Sequence, residues 1–196
     1  TTDVTIYFEG GVHHTGVIPI GSESITNDIA VMLNISRNEA ERIKLKYGSA
    51  KASLASSDLL VEIKNNSGSK PIQVSENELS QYIEARMVEI FQLIGRELSR
   101  TDLFTKLAYG LVVTGGGALL PNIAVLGEEI LGMRVRVGVP RGVSSSIDIS
   151  NSPQLSSAIG LALWNNNSED IVFDENTHIG LKDIFEKIST WFRGFF

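Results

Sequence analysis

Apolar and polar positions alternate from Val4 to Phe8, break at Gly10-Gly11, and alternate again from Val12 to Ile20, which predicts a β-hairpin. Over Gly21 to Leu33 the period lengthens, with Ile25, Ile29 and Met32 at helical spacing. Ser36-x-x-Glu39 is a capping box that opens a second helix to Tyr47, and Gly48 stands where it can close it. Leu59 to Ile63 and Pro71 to Val74 read as two short strands joined by the polar turn Asn65 to Lys70. A second capping box, Ser75-x-x-Glu78, starts a long helix to about Leu98. Its stripe of Leu79, Ile83, Met87, Ile90, Phe91, Ile94 and Leu98 is an expected core face. A strand over Leu111 to Thr114, the run Gly115-Gly116-Gly117, a helix entered at Pro121 and a strand over Val135 to Val139 form the next unit. Ser152-Pro153 then opens a helix to about Trp164.

Beyond that helix the pattern changes twice. From Asn165 to His178 the chain is mostly polar and reads as a linker. Gly180 to Phe196 reads as a separate amphipathic helix. At about 100° per residue, Leu181, Ile184, Phe185, Ile188, Trp191, Phe192, Phe195 and Phe196 fall within an arc of about 140°. Lys182, Asp183, Glu186, Lys187 and Arg193 lie outside it. Docking on a core is the ordinary use of such a face. Its aromatic content, its place at the end of the chain and the linker before it suit insertion at the headgroup and acyl boundary, with Trp191 and Phe192 as the preferred anchors. Three basic against two acidic side chains add little attraction to anionic lipid, so apolar insertion is expected to dominate.

Composition narrows the partners. With 196 residues, 42% of them hydrophobic, the chain can bury a substantial core. A net charge of −6 gives no broad positive field, which argues against nucleic acid as a partner. There is no cysteine, hence no disulfide, thiol nucleophile or thiolate metal site, and a reducing cytosol is the natural compartment. Adjacent His13 and His14 would face opposite sides of a strand and His178 stands alone, so no metal pattern appears. No apolar stretch of about 18 residues is present to span a bilayer. The chain opens on Thr1-Thr2-Asp3 directly before a strand-like run, and is expected to be a fragment of a longer protein.

Two features carry candidate chemistry. Strand, Thr114-Gly115-Gly116-Gly117 and helix is a geometry in which backbone can approach a ligand, since glycines remove side chains and permit positive φ. It is neither a P-loop nor G-x-G-x-x-G, and taken alone it is better explained as a plain tight turn. Glu41 and Lys44 lie three apart on one helical face, where they can serve as acceptor and donor to a ribose or base, or form an ordinary solvated ion pair.

The ordered set resembles the second half of the actin, sugar-kinase and heat-shock-chaperone ATPase fold. Thr1-Thr2-Asp3 and the strand after it are similar to the end of that superfamily's second phosphate loop. Ala40-Glu41-Arg42-Ile43-Lys44 with Gly48-Ser49-Ala50 is similar to the adenosine helix, and Val112 to Pro121 to the adenosine loop. Within the superfamily, Ile20 to Ala30, that loop and the terminal amphipathic helix together resemble the FtsA family of bacterial cell-division proteins.

The resemblance implies an α/β, actin-like (ribonuclease-H-like) second half over residues 1–163, with an inserted small α+β subdomain at about 22–100. A linker at 164–179 and a membrane-targeting helix at 180–196 complete it. It implies ATP, with magnesium held mainly by the other half of the protein. Thr1 and Thr2 would approach the phosphates, Glu41 and Lys44 the adenosine, and Gly115, Gly116 and Gly117 would pass under base and ribose. Leu45 stands where the chaperones place an arginine that stacks on adenine. The implied partners are the C-terminal peptide of the tubulin-like FtsZ, other copies in a filament, membrane lipid and later division proteins, at the inner membrane of the septum. The fragment is expected to be no enzyme on its own, because phosphoryl transfer needs both walls of the cleft. An actin-fold small-molecule kinase and a PilM-like pilus-assembly platform protein are the alternatives.

Overall fold

The computed structural model describes residues 1–63, 71–141 and 151–163. The expected turn over Asn65 to Lys70, the linker and the terminal helix lie outside these residues. The chain divides into two compact units, the first comprising Thr1–Val112 and Leu120–Arg136, the second Val113–Leu119 and the described residues from Val137 onward.

In the first unit, β1 (Thr2–Phe8) and β2 (Gly11–Ile18) form the expected antiparallel hairpin, Thr2 facing Ile18 and Phe8 facing Gly11. Glu9 (φ 50°) and Gly10 (φ 82°) make the turn, and two positive φ values in succession give the connection whose twist matches that of the strands. Alternation sends Val4, Ile6 and Ile18 inward. α1 (Ser22–Met32) buries Ile25 and Ile29 completely. Met32, expected on the same stripe, is 60% exposed, because the helix stops there and the chain turns at Asn34 (φ 51°).

α2 (Arg37–Tyr47) begins as the capping box requires, the Glu39 amide donating to Ser36 Oγ at 3.2 Å. Its end differs in cause. Gly48 has ordinary extended backbone (φ −74°, ψ 144°), so no left-handed cap forms. A Cβ there would instead collide with the Lys44 carbonyl and lie 2.6 Å from Ile83 Cδ1. β3 (Leu60–Ile63) and β4 (Ile72–Ser75) pair antiparallel, Val61 against Val74.

α3 (Glu76–Ser99) is the axis of this unit. Ser75 caps it, accepting from the Glu78 amide at 3.1 Å, and every member of the expected stripe from Leu79 to Leu98 is buried. The hairpin, α1, α2 and α4 (Ile123–Leu131) pack against it. Two polar ties fix neighbours to its outer faces: Arg86 donates to both carboxylate oxygens of Asp28 on α1, at 2.6 and 2.9 Å, and His14 Nε2 on β2 donates to Glu97 at 2.8 Å. The Asp28 carboxylate, by its hydrogen bonds, pushes the Arg86 guanidinium well above its ordinary value. Under Phe91, α4 carries Gly127, where a Cβ would lie 2.8 Å from the ring.

β5 (Leu111–Val113) and β6 (Val135–Val137) pair, and the division between the two units falls inside both strands. β5 ends one residue before the alternation does. At that point the Thr114 hydroxyl donates to the Gly138 carbonyl at 3.0 Å and shares a 2.6 Å hydrogen bond with Ser156 Oγ, so the chain leaves the ladder for a side-chain-fixed loop. In the second unit a short turn over Pro153–Leu155 leads into α5 (Ser156–Leu163).

Gly48→Ala is expected to destabilise the protein by about 1–3 kcal/mol in chemical denaturation, since a backbone carbonyl blocks the added methyl. Gly116→Ala, which meets open space, should stay within about 0.5 kcal/mol of the parent.

Candidate functional site

The candidate residues sit in both units. Thr1, Thr2, Glu41 and Lys44 belong to the first and Gly115, Gly116 and Gly117 to the second.

Glu41 and Lys44 come together one helical turn apart on α2. Lys44 is only 5% exposed, and its ammonium donates to Glu41 Oε2 at 2.6 Å, Thr26 Oγ1 at 2.8 Å and the Ser22 carbonyl at 3.3 Å. An ammonium has three hydrogens, and these three oxygens accept them all. Lys44 is thereby the tie between α1 and α2, and Glu41 is the member that faces outward. Thr26, fully buried, donates its hydroxyl to the same Glu41 oxygen. Oε1 of Glu41 makes no hydrogen bond among the described residues. Burial raises the Glu41 carboxyl, but hydrogen bonds from Lys44 and Thr26 and the charges of Lys44 and Arg37 outweigh it, leaving the group below its ordinary value. The sequence reading missed Thr26 and Ser22. Their spacing of four on an amphipathic helix, opposite a helix with a lysine on its apolar side, was the available signal.

The glycine run is held by its neighbours. Gly115 is in the left-handed region (φ 89°), its amide donates to the Pro153 carbonyl at 3.0 Å, and a tight turn follows over Gly116–Leu119. Nothing lies within 4 Å of a Cβ built on Gly115 or Gly116. The left-handed backbone accounts for the glycine at 115. No steric neighbour and no positive φ accounts for the one at 116, whose surface the described residues leave bare.

Thr1 is exposed and its backbone lies against Gly21, where a Cβ would approach the Thr1 carbonyl to 2.9 Å. Thr2 donates its hydroxyl to the Ile20 carbonyl at 2.8 Å. Both therefore stand beside the entry to α1, and the Thr2 hydroxyl proton is committed to the hairpin.

A polar joint that the sequence reading did not anticipate ties the exit of α2 to the entry of α4. The Ala50 amide donates to the Pro121 carbonyl at 2.9 Å, the Ser49 amide to Ser80 Oγ at 3.2 Å, and Asn122 Nδ2 to Ser49 Oγ at 3.0 Å. Asn122 occupies the position before α4 in the left-handed region (φ 64°) and makes no capping hydrogen bond. Among the described residues no group of three or more histidine or acidic side chains is arranged to hold a metal ion, and no helix is long and apolar enough to cross a membrane. The membrane-facing candidates Leu181, Ile184, Phe185, Ile188, Trp191, Phe192, Phe195 and Phe196 lie outside the described residues.

Two solved structures share the fold: MreB5 of Spiroplasma citri bound to ADP, with a TM-score of 0.57 and 21% identity over 69% of this chain and 45% of that one, and the same protein bound to AMPPNP, with a TM-score of 0.60 and 22% identity over 69% and 44%. The expected actin-like α/β architecture is thus the observed one. A family model described as cell division protein FtsA matches residues 1–160, and the chain belongs to that family. Relatives named cell division protein FtsA come from Borreliella burgdorferi (36% identical over 198 residues, 98% of this chain and 48% of the relative) and Pseudomonas aeruginosa (36% over 164 residues, 84% and 39%). That of Escherichia coli K12 is 27% identical over 203 residues, 98% and 48%. The chain spans about half the length of the curated relatives it matches, or less.

Because the folded-state value of Glu41 is depressed, its contribution to stability is present above the ordinary carboxylate value and is lost as pH falls through the folded one. Lys44→Met removes the largest lowering partner and leaves the burial, so the Glu41 carboxyl should titrate at higher pH when followed by carbon-detected NMR. An unchanged titration would show that the ion pair does not form in solution.

Proposed function

We propose that the full-length protein is an FtsA-type division factor: an actin-like protomer that binds ATP, polymerises at the cytoplasmic face of the inner membrane and anchors the FtsZ ring at the septum. Later divisome proteins would join it there. In this reading each of the two units contributes residues to nucleotide binding. Gly115, Gly116 and Gly117 give a flat backbone surface for base and ribose. Glu41 presents Oε1 to a ribose hydroxyl while Lys44 holds the carboxylate in place from behind. Thr1 and Thr2 stand towards the phosphates, and magnesium is held mainly by the half of the protein that is not in this chain. Such a half-cleft binds and positions rather than catalyses.

The observation that carries the reading is the bare surface at Gly116, in a chain of this family, where the chain's own packing leaves room for a side chain. The nucleotides named with the two structures of the same fold support it. Titrating labelled ATP against the full-length Gly116→Asp variant tests it. Loss of binding by about tenfold or more is expected, as a side chain enters the space that the glycine leaves for base and ribose. Unchanged affinity would remove the loop from the site.

Membrane attachment rests on the sequence pattern of residues 180–196. Burial of one large apolar side chain contributes about 1.5–3 kcal/mol, so partial insertion of this face is enough for reversible binding. Trp191→Glu or Phe192→Glu in the full-length protein should abolish flotation with liposomes without lowering the thermal midpoint. Raising salt should weaken the parent's binding only modestly. A lowered midpoint with unchanged flotation would show that the helix docks on the body instead.

A further inference from the structure

The joint between Ser49 and Asn122 uses the side chain that would ordinarily cap α4. Asn122 precedes α4 at the position where an asparagine ordinarily accepts a hydrogen bond from the first turn of the helix, and it makes none. Its backbone is left-handed (φ 64°), a region that asparagine adopts more readily than most residues other than glycine. Its side-chain amide is turned instead towards Ser49, 73 positions earlier in the chain. Ser49 is 5% exposed and fully engaged: its hydroxyl accepts from Asn122 at 3.0 Å and donates to the Lys51 carbonyl at 3.1 Å, while its amide donates to Ser80 Oγ. Gly48, just before it, is packed so closely that an added Cβ would meet the Lys44 carbonyl and Ile83. An asparagine that gives up its cap for a partner 73 positions away fixes the two segments it joins.

What the joint holds is the last turn of α2. The Lys44 carbonyl accepts the Gly48 amide at 3.0 Å, and Glu41 lies one turn before Lys44 on the same helix. The carboxylate is pinned at Oε2 by Lys44 and Thr26, so its free oxygen has one direction, set by where the helix sits. We infer that Ser49 and Asn122 are positioning residues for nucleotide binding, which fix the height of α2 so that Glu41 Oε1 meets a ribose hydroxyl. This inference rests on the nucleotide reading given above and adds a pair of residues that touch no ligand.

The test uses the full-length protein and two probes, ATP and 2′,3′-dideoxy-ATP, which lacks the hydroxyls. Asn122→Gly keeps the left-handed backbone at no steric cost and removes only the reach to Ser49. The parent should prefer ATP, and Asn122→Gly should lose about tenfold in ATP affinity, the size of one hydrogen bond to a charged group. Its affinity for the dideoxy probe should stay within about twofold of the parent's. Ser49→Ala, which also loses the hydroxyl's bonds to the Lys51 backbone, should lose at least as much, and the double variant should lose no more than Ser49→Ala alone, since the contact with Asn122 is already gone in it. Parent-like ATP affinity in Asn122→Gly overturns the inference. So does an equal loss for both probes, which is the mark of general loosening. Gly116→Asp in the same assay reports separately on the nucleotide reading: its failure to weaken either probe discards the glycine loop, while the role of the joint is still decided by Asn122→Gly.

Discussion

The apolar stripe of α3 is the constraint on which the first unit depends. A helix of 24 residues with Leu79, Ile83, Met87, Ile90, Phe91, Ile94 and Leu98 on one side is unstable until that side is covered. The hairpin, α1, α2 and α4 each cover part of it. Small residues and polar ties stand where the covering is closest: Gly127 beneath Phe91, Gly16 beside Glu97, Asp28 on Arg86. A buried side chain of this kind contributes about 1.5–3 kcal/mol, more than any single exposed ion pair in the unit supplies. The polar ties therefore set orientation, while the stripe supplies the stability.

Lys44 shows the same division at the candidate site. Burying an ammonium is costly unless every hydrogen finds an acceptor, and here Glu41, Thr26 and the Ser22 carbonyl supply them. The arrangement leaves the pair directional, with one carboxylate oxygen locked and the other open. A solvated pair on the surface of α2 would not fix that direction, because exposed long side chains sample many rotamers. The charged pair is thus better understood as an aiming device for Glu41 than as a source of stability.

Much of this was legible in the residues. Alternation gave the hairpin, the serines at 36 and 75 gave the starts of α2 and α3, and the period of 3.6 gave the core face of α3 in full. What periodicity could not give were contacts between segments far apart in sequence. Met32 fits the stripe of α1 by spacing, yet it lies outside because the helix ends there. Glu41 and Lys44 were legible as a pair, but Thr26 as their third member was not, since a threonine inside a helix carries no signal of what lies across from it. Asn122 was invisible for a similar reason: a position before a helix suggests a cap, and only the left-handed backbone shows that the side chain points elsewhere.

Three glycines sharpen the distinction between fold and site. At 48 a side chain would strike the Lys44 carbonyl, and at 127 it would strike the Phe91 ring, so folding alone explains both. At 116 nothing is near and the backbone lies outside the left-handed region. Glycine costs more backbone entropy on ordering than any other residue, by about 0.5–1 kcal/mol relative to alanine within regular structure. Gly11 and Gly160 are equally open, so what sets Gly116 apart is its place in a loop fixed on both sides. The neighbours of Gly116 make the same point from the other direction: Gly115 is held by the Pro153 carbonyl and Thr114 by Gly138 and Ser156, so the loop is stiff while its surface stays bare. A backbone surface held in this way adds nothing to packing, and the proposed nucleotide role gives it a use.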